Sequence, residues 1–209
     1  MLKIGALVSG GGTNLQAIID AINSGYIKNA EIAAVVSSKK DAYALTRAEE
    51  NGIDGVCLLK KDFKDKGDDA YEKAIVDYFN SKGVSLVLMA GFNKILSPYF
   101  SRKFENKVMN IHPALIPAFC GEGYWGIKVH EAVLECGVKL TGATVHFATE
   151  VCDGGPIILQ KSVHVLDDDT PETLQTRVME EAEQVIYPEA VKLFAEGKLK
   201  IVGNRVKGA

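Results

Sequence analysis

The segment Ser85-Leu86-Val87-Leu88-Met89-Ala90 is almost wholly apolar. A short run of this kind is what a parallel strand buried on both faces requires. Parallel strands are joined by crossover helices, and the chain around this segment alternates accordingly. Lys3 to Val8 reads as a strand. Leu15, Ile18, Ile19 and Ile22 then fall at i, i+3, i+4 and i+7, the stripe of an amphipathic helix. Glu31 to Ser37 predicts a second strand, Ala42 to Asn51 a helix closed by Gly52, and Val56 to Leu59 a third strand. A helix is expected from about Asp68 to Ser81. This alternation predicts an α/β fold, a doubly wound, mostly parallel sheet flanked by helices.

The second half changes character. Val108 to Ile111 reads as another central strand, and Val129 to Cys136 as a short helix ended by Gly137. Gly142 to Ala148 and Ile157 to Val165 alternate like half-exposed strands, which predicts an antiparallel C-terminal extension. Thr170 as N-cap and Pro171 at the first helical position open a long helix. That helix is expected to reach Ala195, with a break or kink caused by Pro188. Cys120 to Lys128, with three glycines, Tyr124 and Trp125, reads as a mobile loop near a site. The expected organisation is a single domain over 1–209.

The net charge of −3 lacks the basic excess of a nucleic-acid binder. No apolar run approaches the roughly 20 residues that span a bilayer. Ile4 to Val8 reads as a strand rather than a signal peptide, so no membrane association is expected. The four cysteines, Cys57, Cys120, Cys136 and Cys152, form no CxxC pair, which argues against a structural zinc. They predict reduced, mostly buried thiols in a cytoplasmic protein.

Two segments carry chemistry. Asn110-Ile111-His112-Pro113 places a carboxamide and an imidazole on one face of an extended segment, and Pro113 biases His112 away from helix. Asp153-Gly154-Gly155-Pro156 offers a carboxylate on a turn that can fold back against that imidazole. Asn110 would donate to an oxyanion, and Asp153 would raise the imidazole pKa and favour its protonated form. His130, His146 and His164 read as structural. At the other end, Ser9-Gly10-Gly11-Gly12-Thr13-Asn14 opens the first helix, where backbone amides and the helix N-terminus suit an anion. It is neither GxGxxG nor a Walker loop, so a single phosphate on a small substrate fits better than a dinucleotide. The bland alternative is a tight turn in which Thr13 or Asn14 caps the helix.

These segments, with Met89-Ala90-Gly91-Phe92 and Thr141-Gly142-Ala143-Thr144-Val145-His146-Phe147, resemble the formyltransferase family that uses 10-formyltetrahydrofolate. They cover essentially the whole chain in the family's order. The Gly-Gly-Gly-Thr-Asn opening and the short length point to members that formylate glycinamide ribonucleotide in purine biosynthesis. The resemblance implies that Gly12, Thr13 and Asn14 bind the substrate phosphate. Asn110, His112 and Asp153 would be the catalytic trio, with His112 as proton donor. Asn93, Lys94, Ile95 and Leu96 would line the pterin pocket through backbone groups, together with Asn110. Glu183, and secondarily Glu180, would contact the ribose or glycinamide.

No metal is implied, the expected partners are the two small substrates, and the chain is expected to be a monomer or homodimer. One half, 1–100, would be phosphate-binding and the other, 101–209, folate-binding and catalytic. Two departures stand out. Near Asp68 to Tyr71, where the family often has a folate-contacting arginine, the only charged residues are acidic, with Lys66 a candidate substitute. Between Phe119 and His130 a Gly-Glu-Gly-Tyr-Trp-Gly insertion lengthens the loop.

Three other readings are weighed. A 10-formyltetrahydrofolate hydrolase would use the same trio with water as nucleophile, but usually has an N-terminal regulatory domain, and this chain begins at its first strand. A transferase acting on initiator methionyl-tRNA would add a C-terminal domain and basic surface. From a different class, a non-catalytic sensor would bind a phosphorylated ligand at Gly10 to Asn14.

Overall fold

A computed structural model describes residues 1–209, which divide into two units, Met1–Met109 and Asn110–Ala209. In the first unit four strands, β1 (Leu2–Val8), β2 (Ala30–Ser37), β3 (Gly55–Cys57) and β4 (Leu86–Met89), lie in the order β3-β2-β1-β4. β1 pairs parallel to both β2 and β4, and β2 parallel to β3. The helices α1 (Thr13–Asn23), α2 (Tyr43–Glu50) and α3 (Ala70–Ser81) supply the crossovers. Ile4, Leu7, Leu15, Ile18, Phe79 and Leu88 are fully buried, so the apolar runs and the helical stripe of α1 close on one another as their periodicities require.

Two details differ from the expectation. α3 starts at Ala70 rather than Asp68, because Asp69 takes a left-handed conformation (φ 59°) ahead of the first turn. A short helix, α4 (Pro98–Lys103), follows β4. Its Ser-Pro start is a helix signal, but six residues are too few to show periodicity.

The strand β5 (Val108–His112) crosses the boundary between the units, with Asn110 and His112 at its end. The second unit continues with α5 (Ile127–Cys136), β6 (Leu140–Phe147) and β7 (Ile157–His164). β6 and β7 pair antiparallel with a register shift after Val145, as the sequence suggests. β7 is half exposed, but β6 is buried from Thr141 to Phe147, contrary to expectation. Its polar residues are not facing water. Thr144 Oγ1 donates to the Ala114 carbonyl at 2.7 Å, and accepts from the Ile116 amide at 3.1 Å and from Gln160 Nε2 at 2.9 Å. Buried polar groups satisfied in this way look, in one dimension, like a solvated strand face.

The long C-terminal helix opens as expected. Thr170 Oγ1 accepts from the Thr173 amide, Thr173 Oγ1 accepts from the Thr170 amide, and Pro171 sits at the first position. The helix is interrupted before Pro188 rather than at it. α6 (Pro171–Val178) passes into a π turn over Met179–Glu183, and α7 (Gln184–Ala195) contains Pro188. The proline ring removes the bond to the Gln184 carbonyl and crowds it, so the widened turn falls just upstream. A small hairpin, β8 (Lys200–Val202) with β9 (Arg205–Lys207), follows; strands of three residues carry no legible alternation.

Candidate active site

At the carboxyl end of β1 the glycines lead into α1. The N-cap is Gly12, in a left-handed conformation (φ 73°), and no side chain caps the helix. Thr13 and Asn14 are therefore first-turn residues rather than caps. Thr13 is half-buried and Asn14 buried, and the helix N-terminus they carry is electrostatically suited to an anion. Ser9, just upstream, joins a small network: its Oγ lies 2.7 Å from Ser38 Oγ and donates to Asn93 Oδ1 at 3.0 Å. The Asn93 amide donates back to Ser9 Oγ at 2.9 Å. The backbone N–H of Asn93 is thus engaged within the protein, while the residue itself is exposed. Lys94 and Leu96 are half-buried, and Ile95 is 63% exposed.

In the second unit the extended backbone of β5 points Asn110 and His112 the same way, and the turn after Val151 brings Asp153 to both. His112 Nδ1 lies 3.6 Å from Asp153 Oδ2. Asn110 Nδ2 donates to Asp153 Oδ1 at 3.4 Å and to His146 Nε2 at 3.1 Å. Asp153 adopts φ 53°, a conformation aspartate tolerates better than most residues. At Gly155 a Cβ would lie 1.8 Å from the Phe147 carbonyl, so only glycine lets this turn press against β6. A cavity of about 570 Å³ opens beside Asp153, lined also by Ile116, Pro117, Cys152, Ile157 and Arg205.

The electrostatics correct one expectation. Burial is the largest influence on His112 and holds its pKa below the ordinary imidazole value; the Asp153 charge and the Phe119 carbonyl raise it, but less. Neutral imidazole is therefore the resting form, because desolvation outweighs one carboxylate neighbour. Burial would raise the Asp153 pKa, yet His146, His112 and the Gly121 amide together hold it below the usual carboxylate value. Glu180 and Glu183 both fall on the π turn, Glu180 exposed and Glu183 half-buried. Such turns concentrate at functional sites.

Residues 2–191 match the family described as formyl transferase. The phosphoribosylglycinamide formyltransferase of Haemophilus influenzae is 43% identical over 204 residues, 98% of this chain and 92% of its own length. That of Escherichia coli is 38% identical over 203 residues, 97% of this chain and 92% of its own length. The crystal structure of glycinamide ribonucleotide transformylase 1 from Symbiobacterium toebii has a TM-score of 0.92 at 43% identity, covering 99% of this chain and 93% of that one. The chain belongs to the formyl transferase family.

In this formyl transferase the lengthened loop is bonded to His112 and Asp153. His112 Nε2 donates to the Phe119 carbonyl at 2.8 Å, and the Gly121 amide donates to Asp153 Oδ2 at 2.9 Å. Both imidazole nitrogens thus face acceptors. Phe119 meets Tyr124 edge-on, and Lys128 lies over the Trp125 ring at 4.9 Å. Lys66, the candidate substitute for that arginine, is seated on the Phe63 ring at 4.7 Å.

His146 reads as structural from the sequence, and the structure sets it beside Asn110 and Asp153. His146 is buried, lies 3.6 Å from Asp153 Oδ1 and accepts from Asn110, while its Nδ1 donates to the Phe147 carbonyl at 3.1 Å. Its place in the Thr141-to-Phe147 segment was the available signal. His130 is fully buried with no protein group bonded to either ring nitrogen, and burial holds its pKa near 4, with the nearby His112 adding to the shift. The cysteines are all free, but none is buried: Cys57 and Cys120 are half-buried, Cys136 and Cys152 exposed. Each lies at an element end or on a loop, where small side chains are only partly covered. No group of three or more His, Cys, Asp or Glu side chains is placed to hold a metal ion, and no helix is long and apolar enough to cross a membrane.

Proposed function

We propose that this formyl transferase moves the formyl group of 10-formyltetrahydrofolate to the amine of glycinamide ribonucleotide. The observation that carries the reading is the convergence of Asn110, His112 and Asp153, in a chain 43% identical to a phosphoribosylglycinamide formyltransferase over nearly its full length. The amine nitrogen attacks the formyl carbon directly, giving a tetrahedral oxyanion to which Asn110 Nδ2 donates. His112 starts neutral and takes the proton released by the amine. The imidazolium so formed has acceptors at both nitrogens, the Phe119 carbonyl and Asp153. It then returns the proton to the folate nitrogen as the carbon–nitrogen bond to folate breaks.

Gly12, Thr13 and Asn14 take the substrate phosphate. Asn93, Lys94, Ile95 and Leu96, with Asn110, serve the folate, and Glu183, with Glu180 secondary, the ribose or glycinamide. On this reading 1–209 is a single formyltransferase domain with a phosphate-binding half, 1–100, and a folate-binding and catalytic half, 101–209. The protein works in the cytoplasm as a monomer or homodimer.

The test is the absorbance change on mixing the protein with 10-formyltetrahydrofolate, with and without glycinamide ribonucleotide. Folate product formed only with the amine present is the expected result. Product formed without it would mean a hydrolase, the reading the relatives' names favour less. No product in either mixture would favour a phosphate sensor.

A further inference from the structure

α2 grips the glycine loop from one side. The Ala44 amide donates to the Gly10 carbonyl at 3.1 Å, and Arg47 Nε donates to the Gly11 carbonyl at 2.8 Å. The same guanidinium reaches Gln16 Oε1 on α1 at 3.2 Å through Nη1, and lies over the Tyr43 ring at 5.0 Å. One side chain therefore ties the loop, α1 and α2 together. Gly12 is held equally closely, since a Cβ there would meet Ala44 Cβ at 2.7 Å.

The consequence follows from peptide geometry. A trans peptide unit is planar, with its C=O and N–H on opposite sides. Drawing the Gly10 and Gly11 carbonyls towards α2 turns the amides of Gly11 and Gly12 the other way. Successive N–H groups turned to one side make an anion-binding concavity, and the N-terminus of α1 adds its partial positive charge. Arg47 faces the carbonyl side of the loop, so it is no ligand of an anion bound on the amide side.

We propose that Arg47 is a positioning residue for the substrate phosphate: it presets the peptide planes whose amides bind the anion. The proposal rests on the phosphate-binding role of Gly12 to Asn14. It predicts that Arg47 affects recognition of the phosphate and leaves the transfer step alone.

The experiment compares glycinamide ribonucleotide with the same compound lacking its phosphate, measuring KM and kcat for the wild type, Arg47→Met and Arg47→Lys. Arg47→Met keeps the packed stem and removes the charged donor. It is expected to raise KM for the phosphorylated substrate about tenfold, the scale of one charge-assisted hydrogen bond. The kcat, its pH profile and the KM for the formyl donor stay unchanged, as does kcat/KM for the phosphate-free substrate. Arg47→Lys falls between, because one ammonium serves Gly11 without the fork that also spans Gln16. A wild-type KM in Arg47→Met, or an equal loss on both substrates, overturns the proposal. Should Arg47→Met not fold, Arg47→Lys is read alone, and a wild-type KM there has the same force. A wild-type enzyme that does not distinguish the two substrates overturns instead the phosphate assignment beneath it.

Discussion

His112 is defined by two opposed effects, burial that disfavours its charge and acceptors at both nitrogens that favour it. Burial prevails, so the resting form is neutral, as the proposed uptake of the amine proton needs. Activity should therefore be flat at neutral pH and decline only as pH falls below about 6.5, the unperturbed imidazole value. Asp153→Asn removes the nearest raising influence, and the acid limb of its kcat–pH profile should move to lower pH while kcat itself falls. A limb that moves to higher pH would contradict the assignment. His112→Ala should keep its fold and folate binding and lose on the order of 10²–10⁴ in turnover. Near-normal turnover in that variant would remove His112 from the mechanism.

Among the elements, α6 is fastened to the end of β7 by one carboxylate. Asp169 accepts from the Leu166 amide at 2.8 Å, from Thr173 Oγ1 at 3.0 Å, and from both terminal nitrogens of Arg177 at 2.6 and 2.5 Å. Arg177 also donates to the His164 carbonyl at 3.1 Å. The Arg177 contact holds the Asp169 pKa down to about 2. Its folded value is depressed, so this stabilisation is complete above the unperturbed value near 3.9 and is lost as pH falls towards 2. Arg177→Met should destabilise the protein by about 2 kcal/mol at neutral pH, with the difference from wild type shrinking below pH 4. Urea melts across that range check both. Thr170 and Pro171 announced this helix start because capping is local chemistry. The π turn carrying Glu180 and Glu183 was not legible, since it depends on how the crowding at Gln184 is relieved upstream.

For the molecule as a whole, acid should act through buried imidazoles before it acts through carboxylates. His112 and His130 both resist protonation when folded, whereas the unfolded chain takes up those protons near pH 6.5. Stability should therefore fall as pH drops from 6.5 towards 4. His130→Leu should flatten that decline, raising the thermal midpoint more at pH 5 than at 7.5. An unchanged slope would show that His130 is not the group responsible. The class of fold was readable in one dimension because buried parallel strands and their covering helices impose apolar runs and 3.6-residue stripes that survive without coordinates. The trio was readable because Asn110 and His112 share a strand face and Asp153 sits in a glycine turn. The place of His146 beside Asp153, the neutral state of His112, and the grip of Arg47 on the glycine loop belong to the tertiary structure. Each depends on distance and desolvation between residues far apart in the chain, and no local pattern records those.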